Sequence, residues 1–187
     1  MTPRRKAAPR ASEELVILGI DPGLRVTGFG LVAKAGETLR ALDFGTLTMS
    51  ADLTLPERLR TLFEGLEELI LRWCPAEVAV EAPFVAANKQ VAVAVGEARA
   101  VAMLAAAQAG LPVFSYSPAE VKQAVTGYGR GEKRQVQEMV RLQLGLEAIP
   151  EPDDAADALA TALCHAAHRR VAALLAGERT RRRGENP

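Results

Sequence analysis

The first hydrophobic feature of the chain is a continuous apolar run, Leu15-Val16-Ile17-Leu18-Gly19-Ile20, halted by Asp21-Pro22-Gly23. Its length and β-branched content predict a strand buried on both faces. Gly28-Phe29-Gly30-Leu31-Val32 and the stretch from Leu39 to Met49 follow at hairpin spacing, with Ala35-Gly36 as the turn, and extend this to a three-stranded antiparallel meander. Then the period changes. Leu55, Leu59, Leu62, Phe63, Leu66, Leu69, Ile70 and Trp73 recur every three or four residues behind Pro56, the signature of an amphipathic helix with proline in its first turn. Glu77-Val78-Ala79-Val80-Glu81 predicts another buried strand, and an Ala-rich helix is expected over about residues 88–108 with Gly110 as its stop. Pro112-Val113-Phe114-Ser115-Tyr116 predicts a further strand. Ser117-Pro118-Ala119-Glu120 has the form of a capping box opening a short helix that carries Lys122. A glycine-rich loop, Gly127-Tyr128-Gly129-Arg130-Gly131, leads to a helix near residues 133–144, and Asp153 or Asp154 is expected to cap a long last helix ending near Ala176.

Three antiparallel strands followed by helix, strand, helix, strand and helices predict an α/β three-layer fold, a mixed five-stranded sheet flanked by helices. At 187 residues and 49% hydrophobic content, one domain with one sizeable core is the simplest organisation. We place it at residues 14–176, between a basic flexible lead at 1–13 and a basic flexible tail at 177–187. Cys74 and Cys164 form no CxxC pair, so neither a disulfide framework nor a zinc knuckle is expected and a reducing cytoplasm is the default. Residues 1–12 have no apolar segment behind them of the kind a signal peptide needs. The longest uncharged run, residues 100–119, is interrupted by Gln108, Gly110, Pro112 and Ser115 and reads as a helix end, a turn and a strand, with no membrane partner expected.

The formal net charge of zero conceals an asymmetry. Residues 1–12 carry four basic residues and no acid, and residues 169–187 carry six Arg against Glu178 and Glu185. Each end is therefore +4 and the body between them −8. An overall balance of zero thus does not argue against binding a polyanion through the ends.

Within the acidic body, Asp21 and Glu81 each end an apolar strand, where an unpaired carboxylate costs several kcal/mol to desolvate. Asp154 and Asp157 are three residues apart and share one face of a helix. If strand ends meet the helix start, four carboxylates converge. Hard oxygen donors without His or Cys suit Mg²⁺ or Mn²⁺, and two such ions roughly 4 Å apart suit in-line displacement at a phosphodiester. Taken singly, each acid has a plainer reading: Asp21 as a turn former, Asp154 as an N-cap, Asp157 as a first-turn acid, Glu81 as half of a salt bridge.

Ile17-Leu18-Gly19-Ile20-Asp21-Pro22-Gly23 followed by Arg25-Val26-Thr27-Gly28 resembles the opening signature of RuvC, the crossover (Holliday) junction endodeoxyribonuclease family. Val80-Glu81-Ala82-Pro83-Phe84, Gly96-Glu97-Ala98-Arg99, Val121-Lys122-Gln123, Glu132-Lys133 and Asp154-Ala155-Ala156-Asp157-Ala158-Leu159-Ala160 resemble further family blocks in order and spacing, over about residues 14–170. The resemblance implies a ribonuclease H-like fold, a homodimer, and Mg²⁺-dependent, paired symmetric cutting of four-way DNA junctions in recombination and repair, with Mn²⁺ as a substitute and two ions per site. It maps the catalytic and metal-binding carboxylates onto Asp21, Glu81, Asp154 and Asp157. DNA-handling residues map onto Lys122 and Lys133, and an aromatic that stacks at the opened junction centre onto Phe84. By themselves these would be solvated lysines and a core phenylalanine. The small-residue face of residues 91–109, which also suits a tight intramolecular core, becomes a dimer interface, and branch-migration motor proteins become candidate partners.

Asp153, four residues before Asp157, also has helical geometry for ligation; the resemblance implies Asp154, because the Asp-Ala-Ala-Asp spacing fits the family. His165 and His168 read as structural. The rival classes are an actin- or sugar-kinase-like ATPase, which needs a second lobe and a second glycine-rich loop that this chain lacks, a junction-binding or scaffold protein without catalysis, and a ribonuclease H-fold nuclease for other branched or hybrid substrates.

Overall fold

A computed structural model describes residues 14–82, 89–129 and 131–184, with backbone alone for residues 89 and 172–184. Strands β1 (Leu15–Asp21), β2 (Val26–Ala35) and β3 (Thr38–Thr48) form the expected meander, and Gly36 takes φ +58° in the β2–β3 turn. Helix α1 (Leu55–Trp73), strand β4 (Glu77–Glu81), helix α2 (Lys89–Gln108), strand β5 (Val113–Tyr116), and helices α3 (Pro118–Thr126), α4 (Lys133–Leu144) and α5 (Asp153–Gly184) follow. The sheet has the order β3-β2-β1-β4-β5. The β1–β2 and β2–β3 pairs are antiparallel, whereas β1–β4 and β4–β5 are parallel, so the five-stranded sheet is mixed as predicted.

Alternation along the central strands decides what each face meets. Leu18 and Ile20 of β1, with Val78 and Val80 of β4, pack against Leu62, Leu66, Ala98 and Ala102 of α1 and α2. Ile17 and Ala79 face the other layer, built from Val121, Val136, Val140, Leu159 and Leu163 of α3, α4 and α5. The Thr54 N–H donates to the Glu57 carboxylate at 2.8 Å before α1, and, as the sequence implies, Ser117 and Glu120 exchange bonds before α3, with Glu120 N–H donating to Ser117 Oγ at 3.3 Å.

Two expectations at the last helix are corrected. Asp153 and Asp154 lie inside the first turn of α5, where the Ala155 N–H already bonds the Pro152 carbonyl at 2.9 Å. The helix also continues through Gly177 to Gly184, because a glycine costs only about 1 kcal/mol in a run made mostly of Ala, Leu, Glu and Arg. The lead at 1–13 and residues 185–187 lie outside the described residues. Helix α2 is also long and apolar enough over Gln90–Gln108 to cross a membrane by length and composition, with 22% of that window buried.

Candidate active site

Asp21 is the last residue of β1 and Glu81 the last of β4. These strands are parallel neighbours with Ile20 opposite Val80, so the two acids stand side by side where both strands end. By the same alternation that sends Ile20 and Val80 toward α1 and α2, Asp21 and Glu81 turn toward α5.

Helix α5 can reach them because the strands beneath it are stripped of side chains. A Cβ on Gly28 would lie 1.9 Å from the Asp154 carbonyl oxygen, and one on Gly19 would lie 2.1 Å from that of Ala158. Neither distance is physically possible, so only glycine at these positions lets the first two turns of α5 rest on the β1–β2 backbone. That contact brings Asp154 and Asp157 over the strand ends.

The result is a dense negative site. Burial first, then the charges of Asp157 and Asp154, push the Asp21 carboxyl up to about 7, with Lys133 opposing. Glu81 is raised to about 8 by burial and then by Asp21 and Asp157, while Lys122 and Thr161 pull the other way. Burial also raises Asp157, against the pull of Lys133. Among the described residues no hydrogen bond or ion pair reaches the Asp21 carboxylate.

Lys133, at the start of α4, supplies one nearby positive charge. Its Nζ lies 3.1 Å from Asp157 Oδ2 and 3.1 Å from Asp153 Oδ2. Asp153 is spoken for on its other side too, since Gln137 Nε2 donates to its Oδ1 at 2.7 Å. Of the two neighbours, Asp153 is engaged by α4, and Asp154 is the one whose charge acts on Asp21. Lys122 of α3 lines one cleft with Glu81, Lys133 and Asp157. Phe84 lies outside the described residues.

Four acidic side chains and two lysines named from the sequence thus gather at one end of the sheet. All four acids offer hard oxygen donors, and the raised Asp21 and Glu81 are carboxyls whose negative charge has too little compensation nearby. That donor chemistry fits divalent cations of the Mg²⁺ type. Among the described residues no three His, Cys, Asp or Glu side chains close on one point as a finished metal cage; at Asp157 the Lys133 ammonium holds the place of a cation.

Two contributors, Thr161 and Gln137, escape the sequence reading, whereas His165 has the structural role expected of it. Thr161, fully buried, donates to the Asp157 carbonyl at 3.0 Å and influences Glu81. Gln137 fixes Asp153. His165, read as structural, is buried between Glu77 and Tyr116: its Nε2 is 2.6 Å from Glu77 Oε2, and its Nδ1 is 2.7 Å from the Tyr116 hydroxyl. This network pins α5 to β4 and β5 and so fixes the register that carries Asp154 and Asp157. Two signals in the sequence pointed to the packing, namely Gly19 and the Gly28/Gly30 pair within strands, where glycine is otherwise unfavourable.

Comparison with known proteins gives the same arrangement a lineage. A family model described as crossover junction endodeoxyribonuclease RuvC matches residues 17–165. The chain is 56% identical over 149 residues to a crossover junction endodeoxyribonuclease RuvC of Chloroflexus aggregans, covering 80% of this chain and 91% of the relative. It is 53% identical over 158 residues to that of Rubrobacter xylanophilus, covering 84% and 88%. Among solved structures, RuvC of T. thermophilus in complex with a Holliday junction substrate superposes with a TM-score of 0.80 at 39% identity, covering 84% of this chain and 96% of that one. A yeast mitochondrial Holliday junction resolvase, 14% identical over 79% of this chain and 77% of its own, shares the fold with a TM-score of 0.57.

Proposed function

The chain belongs to the crossover junction endodeoxyribonuclease RuvC family, and we propose that Asp21, Glu81, Asp154 and Asp157 hold two Mg²⁺ ions, replaceable by Mn²⁺, for paired, symmetric hydrolysis at a four-way junction. It is a nuclease that resolves Holliday junctions with a divalent metal. The observation that carries the assignment of residues is the pair of strand-end carboxyls, raised to about 7 and about 8 because burial and neighbouring acids leave their charge uncompensated. Bound there, divalent ions supply charge neutralisation at the phosphodiester and lower the pKa of the attacking water.

The chain's own residues do the rest. Asp21 and Glu81 are held by backbone pairing in the middle of the sheet, so the floor of the site is rigid. Asp154 and Asp157 are set by the α5 register. Lys122 and Lys133 line the cleft, place positive charge beside a site that must admit a polyanion, and bind its phosphates. Phe84, three residues after Glu81, stacks on bases at the junction centre in this reading; base stacking on an aromatic is worth about 1–3 kcal/mol.

Paired cleavage calls for two sites facing two strands. Helix α2 supports a homodimer: Val93 and Leu104 are 60% and 54% exposed on an apolar helix of which 22% is buried within the chain. A second copy of this chain covers it.

The test uses a labelled synthetic four-way junction beside linear duplex of the same arms, with Mg²⁺ or EDTA. Symmetric nicks on the junction alone, dependent on Mg²⁺ and lost in Asp21→Asn while junction binding persists, support the proposal. Equal cutting of linear duplex, or a normal rate in Asp21→Asn, contradicts it.

A further inference from the structure

The first turn of α5 carries one acid more than the four assigned to metal, and its contacts give it a separate task. Asp153 Oδ1 accepts from Gln137 Nε2 at 2.7 Å, and its Oδ2 meets Lys133 Nζ at 3.1 Å. Gln137 is a buried amide four residues after Lys133, on the same face of α4. A buried amide therefore fixes a carboxylate, and the carboxylate fixes an ammonium.

Lys133 needs that support. It is the first residue of α4, where the positive end of the helix dipole repels a cation, and its stem has four rotatable bonds. Its other partner is Asp157, also at 3.1 Å through Oδ2. Asp157 is one of the carboxylates assigned to divalent cations, and an oxygen given to a metal is no longer free to hold an ammonium. Asp153 lies apart from that set, its two oxygens both committed to α4.

We infer that Asp153 is a positioning residue, retaining Lys133 at the mouth of the cleft when Asp157 is taken up by metal, so that the ammonium stays placed for a junction phosphate. The inference rests on the reading of Asp157 as a metal ligand and of Lys133 as a phosphate contact.

Four variants of the full chain test it: Asp153→Asn, Asp153→Glu, Lys133→Ala and the double variant Asp153→Asn/Lys133→Ala. Three quantities are measured in each: single-turnover cleavage of pre-bound junction in Mg²⁺, Mn²⁺ affinity by calorimetry without DNA, and urea stability. Asp153→Asn keeps an oxygen for Gln137 and loses the charge. It is expected to slow cleavage by up to about fivefold, the upper worth of an exposed ion pair, with Mn²⁺ affinity within about threefold of the parent. Asp153→Glu restores most of the rate. The double variant is expected to cut within about twofold of Lys133→Ala, since a residue acting through another adds nothing once that other is gone.

Two results overturn the positioning role alone: a parental rate in Asp153→Asn while Lys133→Ala is slow, or the same loss repeated on top of Lys133→Ala. A fall of tenfold or more in Mn²⁺ affinity in both backgrounds makes Asp153 a ligand instead. A parental rate in Lys133→Ala overturns the phosphate contact, and the positioning role with it.

Discussion

Replacing Asp21 by Asn should make the metal-free protein more stable at alkaline pH. In the folded chain the carboxyl titrates near about 7, against an ordinary 3.8. Between those values the folded state binds more protons than the unfolded one, so stability falls as pH rises through the window and the full cost is present above about 7. The displacement corresponds to about 4 kcal/mol once the group is ionised on both sides of the equilibrium. Glu81, raised to about 8, is still partly protonated there and shares the repulsion, so a single replacement recovers less, about 2–3 kcal/mol at pH 8. At pH 4 the comparison is between a neutral amide and a largely neutral acid, and the two proteins should differ little. Urea unfolding in EDTA at pH 4, 6 and 8 measures this directly, and the difference between the two proteins cancels the background charge of the acidic body. Adding Mn²⁺ at about 100 times its Kd should return about 2.7 kcal/mol to the parent and much less to the variant. Parallel pH profiles in EDTA would refute the idea that Asp21 is an uncompensated buried acid.

Other replacements probe the parts that place the site. Gly28→Ala puts a Cβ 1.9 Å from the Asp154 carbonyl oxygen and must lift the start of α5; urea unfolding should show a loss of about 1–3 kcal/mol, with Mn²⁺ binding weakened more than stability explains. Tyr116→Phe leaves His165 Nδ1 without its 2.7 Å partner and should cost about 1–3 kcal/mol in the same assay, with the far-UV circular dichroism unchanged. Leu104→Asp on the exposed side of α2 should shift light scattering from dimer to monomer and abolish paired nicking, leaving urea stability of the monomer within about 0.5 kcal/mol.

What could be read from the sequence divides along physical lines. Elements whose information is local were legible: the three- and four-residue spacing of Leu55 to Trp73, the Ser117/Glu120 box, and the Glu77 to Glu81 run all appear where expected, because periodicity and capping act over a few residues. The end of α5 was misread, since Gly177 weakens a helix without stopping it when strong helix formers lie on both sides. The acids could be named one by one, yet their meeting depends on Gly19 and Gly28 allowing a helix onto two strands that precede it by more than a hundred residues. That close approach leaves only a few glycines within strands as its trace in the sequence. The division of labour between Asp153 and Asp154 was equally hidden, because spacing along one helix permits both and only the neighbouring helix, through Lys133 and Gln137, separates them.

In the proposed function four carboxylates from β1, β4 and α5 hold the divalent ions of the reaction. A crystal of the full chain soaked in Mn²⁺, with anomalous scattering recorded at the manganese edge, tests it most directly. Two anomalous peaks are expected among Asp21, Glu81, Asp154 and Asp157, with the Lys133 ammonium withdrawn from Asp157 and still on Asp153. Peaks seated on Asp153, or none near the ends of β1 and β4, would contradict it.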